Sequence, residues 1–247
     1  MRLFSLMFIA LLCSTPAFAC EGLPQKALSA DEATWSPYLR RGMKHFGLKN
    51  DEMAIACFEK IKPYEPGIAN IRIATVYHLR FKAQPDSNEL RNHALTHYNR
   101  ALEHPNNIPV NMTRSRITKL LMSLSEQKII ELQSDRTGVS RYNYFNAGLY
   151  YIIKQQPKQA LRLLERAAQE KYWHAKLLLG LLYNPIFKYN AQYSLFKKDS
   201  DLAIMWLEKA YNQVPTQMLE RQILQLQEYR KDPKPTTPST EHQVVTK

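Results

Sequence analysis

At 247 residues and 45% apolar composition the chain can bury a sizeable core, as one large domain, two small ones or a solenoid. Thirty-four Lys and Arg against 22 Asp and Glu give a formal charge of +12. Such a charge either draws in anionic polymers and acidic surfaces or spreads over solvated helix faces. Beyond the first residues no run approaches the roughly 18 to 20 apolar residues of a membrane helix, which excludes a transmembrane span there.

The chain opens on a short basic start, Arg2, followed by the apolar stretch Leu3 to Leu12 and the A-x-A site Ala17-Phe18-Ala19. This pattern predicts a removable signal peptide over 1–19 and therefore export to the periplasm. Cleavage removes Arg2 alone among the charged residues, taking +12 to +11. Export argues against nucleic acid as a partner and leaves anionic cell-wall polymer or another envelope protein. Cys20 sits directly after the cleavage site, so two fates are open. As a lipoprotein cysteine it would carry an acyl anchor facing the periplasm from the outer membrane, although Ala17 and Phe18 depart from the lipobox. As a free thiol in an oxidising compartment it could bridge to Cys57 and pin the 20–34 arm to the first helices. Cys57 could equally be a small buried residue.

From 35 to 230 the chain reads as helix after helix, with no alternating β-branched run. Asn50-Asp51 caps a helix from Glu52 to Lys62, ended by Pro63 and Pro66. Ser87 opens a helix from Asn88 to Glu103, closed by Pro105. The turn-rich segment Ser134 to Ser140 breaks the pattern. Pro157 opens Lys158 to Lys171, and Asp199 or Ser200 opens Asp201 to Asn212. Lys231 to Lys247, with three Pro and four Thr, is too poor in apolar residues to offset ordering entropy and reads as a disordered tail.

Small and aromatic residues recur along these helices: Gly148, Tyr151, Ala160, Leu164 and Ala167; Tyr38, Gly42, Ala54, Phe58 and Ile61; Ala74 and Tyr77 with Ala94, Tyr98 and Ala101; Gly180 and Tyr183 with Ala203, Leu207 and Ala210. The third set has eight extra residues in its turn and the fourth eleven. Several of these positions recur 106 residues on, Gly42 as Gly148 and Phe58 as Leu164. After the insertions, Pro109, Met112, Ile117 and Leu120 recur as Pro215, Met218, Ile223 and Leu226. The spacing predicts a duplicated block of two helix pairs plus a closing helix, with lobes 35–134 and 135–230.

In these residues, and in Ala175-x-x-Leu178-x-Gly180-x-x-Tyr183 with Asp201 to Ala210, the chain resembles the tetratricopeptide and Sel-one-like repeat families. The resemblance implies an all-α solenoid of antiparallel helix pairs, acting as scaffold or adaptor without catalytic residues or cofactor. It also implies a concave face lined by the first helices, here Ile68, Ile71, Thr75, His78 and Leu79 in one lobe. Tyr142, Phe145, Leu149, Ile152 and Ile153 take those places in the other. So apolar a groove suits an amphipathic helix or an extended apolar peptide, unless a closing helix covers part of it.

The insertion before Ala203 mixes Phe187, Lys188, Tyr189, Tyr193, Phe196, Lys197 and Lys198, a composition suited to a polysaccharide or a partner surface, or to folding back on the helices. His93 and His97 stand one helical turn apart, yet no HExxH pattern surrounds them. They read as solvated surface histidines and not as a metal site. No Gly-x-Ser-x-Gly, Cys-x-x-Cys or phosphate-cradling Gly cluster occurs, so the sequence predicts no enzyme.

Overall fold

A computed structural model describes Cys20 and residues 35–105, 108–134, 139–187 and 195–232. Every regular element among them is helical: α1 (Ser36–Gly47), α2 (Asp51–Glu59), α3 (Pro66–Ala83), α4 (Asn88–Leu102), α5 (Val110–Met122), α6 (Glu126–Ser134), α7 (Ser140–Ile153), α8 (Pro157–Gln169), α9 (Trp173–Tyr183), α10 (Ser200–Tyr211) and α11 (Gln217–Lys231). Neighbouring helices pack as successive pairs, an all-α fold of the solenoid class. The chain divides into two compact units, 1–146 and 147–247, so the division falls inside α7. Most of the turn-rich break and of the 231–247 tail lies outside the described residues.

Helix starts are set by side-chain caps that accept otherwise unbonded N–H groups. Asn50 accepts from Met53, Ser87 from Leu90, Asp199 from Leu202 and Thr216 from Leu219. Proline at the first turn opens α3 and α8, where its missing donor costs nothing. Three helices end without glycine on left-handed residues, Lys49 (φ 58°), Gln155 (φ 57°) and Lys171 (φ 63°). Each is followed by an N–H that reaches back five residues: Asn50 to His45, Gln156 to Tyr151 and Tyr172 to Ala167.

Pairing within a repeat rests on one recurring contact. A β-carbon built on Gly42 would lie 2.5 Å from the Phe58 ring, on Gly148 2.9 Å from Leu164, and on Gly180 2.6 Å from Leu207. The glycine lets its helix approach the next closely enough for the large side chain to lie against bare backbone. Glycine and partner stand 16, 16 and 27 residues apart, so the eleven extra residues leave the contact unchanged. The eight extra residues of the other interrupted repeat were expected in its turn. Instead they lengthen α3 to 18 residues, leaving only Gln84 to Ser87 as connection.

In the first unit α1 to α3 close over Trp35, Phe58, Ile61, Ile73 and Val76. Cys20 and Cys57 are buried and disulfide-bonded, with α-carbons 5.4 Å apart. A sulfur held in that bridge is not free to carry a lipid thioether. In the second unit α9 to α11 close over Trp173, Leu177, Leu207, Leu219 and Leu226. Helix α6, not singled out in the sequence, seats Ile129 and Leu132 and follows α5 after three residues. Among the described residues no helix is long and apolar enough to cross a membrane.

Candidate functional site

Of the ten residues expected to line a concave groove, the second-lobe set is core. Tyr142, Phe145, Leu149 and Ile152 are between 0 and 7% exposed, and Ile153 is half-buried. Those four are too covered to meet a partner, which corrects the expectation of an apolar groove open along the whole of α7; Ile153 keeps a partly open edge. Tyr142 is fixed further by a 2.6 Å hydrogen bond to Glu103, which Arg141 also grips at 2.9 Å. Burial and the Glu103 carboxylate both raise its pKa.

The first-lobe set divides. Ile71 is buried and Ile68 packs on the α1 to α3 core. Thr75 and His78 are half-buried and engaged: Arg116 of α5 donates to Thr75 at 3.1 Å, and His78 Nδ1 lies 3.1 Å from the Tyr98 hydroxyl. Leu79 is 46% exposed. The closing helix thus covers part of this face and leaves Leu79 and the edge of His78 open.

The aromatic insertion also folds inward at its ends. Phe196 is 4% exposed and Phe187 packs on the α9 to α11 core. Asn184 Oδ1 accepts from the Ile186 and Phe187 N–H groups, and the Asp199 N–H closes on Tyr183 O at 2.8 Å. Lys198 donates to Leu182 O at 3.0 Å, and desolvation lowers its pKa. Of the residues expected to bind a partner here, only Lys197 is described and exposed; Lys188, Tyr189 and Tyr193 lie outside the described residues. Beside Ile186, a hollow of about 450 Å³ faces α11 and carries Glu228 and Asp232, so its charge is acidic and not basic.

A second concavity was not foreseen. A cleft of about 520 Å³ lies among α2, α3 and α4 of the first unit, lined by Glu59, Lys62, Tyr77, Glu89, His93 and His97 together with Asn92, Thr96, Arg100 and Val139. Tyr77 stacks on His93 at 4.7 Å and on His97 at 5.8 Å, with ring planes within 18°. Lys62 pairs with Glu59 at 2.6 Å, and His93 Nε2 stands 3.6 Å from Glu89.

His97 is not a solvated residue: it is 7% exposed, and the sequence reading is corrected there. Asn70 Nδ2 donates to Pro66 O, so its Oδ1 is left to accept, 2.8 Å from His97 Nδ1. His97 therefore carries its proton on Nδ1, and Nε2 is its remaining acceptor. Desolvation, with Lys62, Arg100 and His93 nearby, pushes its pKa down to about 3, so the ring is neutral. The sequence signal for this face was the spacing of His93, His97 and Arg100 at i, i+4 and i+7, one stripe of α4. Among the described residues no cluster of three or more His, Cys, Asp or Glu could hold a metal ion.

No family model, curated protein or solved structure matches this chain.

Proposed function

We propose that this chain is an exported, non-catalytic adaptor of the tetratricopeptide and Sel-one-like kind, holding another envelope protein against its first unit. The observation that carries this reading is the divided fate of the expected groove: Leu79 is 46% exposed and the edge of His78 stays accessible, while Tyr142, Phe145, Leu149 and Ile152 of the second lobe are core. An accessible leucine next in sequence to half-buried His78 is the size of an anchor point for one apolar side chain of a partner. Two further features support the reading. The side-chain regularity of the chain serves helix stacking, through the Gly42, Gly148 and Gly180 contacts. The Cys20–Cys57 bridge is chemistry of an oxidising compartment such as the periplasm. The full chain should capture a discrete protein from envelope extract, and Leu79→Glu should abolish that capture while leaving the helical circular dichroism unchanged. Equal capture by the variant would sink this placement of the site.

A second reading, binding of anionic cell-wall polymer, is favoured by charge. Residues 35–146 carry 17 Lys and Arg against 10 Asp and Glu, and 147–247 carry 15 against 9. With Phe187, Phe196 and Lys198 committed internally, this mode rests on dispersed surface cations, Lys197 among them. It predicts co-sedimentation with peptidoglycan that is lost as salt screens the charges. Absence of sedimentation at low salt ends it.

A further inference from the structure

The geometry points to the cleft among α2, α3 and α4 as a binding site for a short neutral saccharide. Its volume of about 520 Å³ falls within the range of small-molecule sites. Its walls say which class of molecule fits. Among the described residues that line it Val139 is the only aliphatic side chain, so an apolar anchor from a protein partner finds little to pack on there. Among those described residues two carboxylates, Glu59 and Glu89, balance two permanent cations, Lys62 and Arg100, so a purely anionic ligand gains from one pair what it loses to the other. What remains is a dense mixture of donors and acceptors around stacked rings.

That mixture matches a sugar. Hydroxyl groups donate and accept, and so meet Arg100 as readily as Glu89 or the Nε2 acceptor of neutral His97. The apolar face of a pyranose needs a ring to lie against. His93, with its side chain 45% exposed, is the open ring of the stack, and Tyr77 holds its plane. The buried His97 to Asn70 bond fixes the third ring, so the platform is set before a ligand arrives. This site takes Tyr77 from α3 but not Leu79, and stands or falls independently of the adaptor reading.

The test is calorimetric titration of the purified full chain with chitotriose and cellotriose, and with hexaglutamate as an anionic peptide control. One or both trisaccharides should bind saturably at one site, with an affinity that stays within twofold when salt is raised tenfold. Arg100→Ala and His93→Ala are changes at exposed side chains and should each weaken binding at least tenfold without moving the thermal melt. Several results overturn the assignment: neither trisaccharide binding, hexaglutamate binding in their place, steep salt dependence, or affinity that survives both substitutions.

Discussion

At His97, burial overrides what the side chain would do in water. Its folded pKa of about 3 lies below the ordinary 6.5, so below about pH 6.5 the unfolded chain binds a proton that the folded chain refuses. The stability this group contributes is complete above pH 6.5 and is lost as pH falls toward 3, at no more than about 1.4 kcal/mol per pH unit. His78, lowered by desolvation and by Lys82 and Arg116, acts with the same sign. Urea unfolding at pH 7 and pH 5 should show the chain weaker at pH 5, and His97→Gln should show a smaller difference between the two. An identical pH slope in the variant would mean that the ring is not buried neutral. Left-handed Lys49, Gln155 and Lys171 make a second residue-scale prediction. Replacing each by Gly should raise stability by about 0.5 to 1 kcal/mol, read as a higher urea midpoint, because the β-carbon penalty of that conformation is removed.

Among the elements, the glycine contacts decide how closely paired helices approach. Alanine is the better helix former by about 1 kcal/mol, yet at these three positions it should destabilise. Gly180→Ala meets Leu207 at 2.6 Å and its backbone nitrogen at 3.2 Å, and Gly42→Ala meets the Phe58 ring at 2.5 Å. Neither neighbour can withdraw freely, and overpacking there should cost a net of about 1 to 3 kcal/mol. Gly148→Ala meets Leu164 Cδ2 and Cγ at 2.9 Å, the longest of the three closest approaches, with Ala160 O at an ordinary 3.5 Å, and should be the mildest of the three. Thermal melts of the three variants check the order.

These contacts were legible in the sequence because a repeated spacing of small and large residues has one structural use. The capping residues Asn50, Ser87 and Asp199 were legible for the same reason, since their chemistry is local. The sites were less legible. That Tyr142 would turn inward depends on Glu103, 39 residues away, and that His97 would be buried depends on Asn70, 27 residues away. A single helix pattern does not encode which of its faces a distant residue will cover. The insertion misled for a related reason: aromatic and basic residues in a loop suit a binding surface, but Phe187 and Phe196 are also what a loop uses to hold itself to a core.

For the molecule as a whole, the disulfide constrains the unfolded chain. Closing a loop of 37 residues constrains the unfolded chain by about 3 to 4 kcal/mol in the chain-entropy treatment. Cys57→Ser should lower the urea unfolding free energy by roughly that amount, and treating the native protein with reductant should do the same. An unchanged midpoint would show that Cys20 and Cys57 are not bridged in solution. The adaptor reading has a more direct test in photo-crosslinking in the native host, with a photoreactive residue placed at Leu79 and, as control, at core residue Leu149. The account predicts a discrete heavier species from position 79 and none from position 149. A folded, exported chain that gives no adduct at 79, or gives the same adduct from both positions, would contradict it.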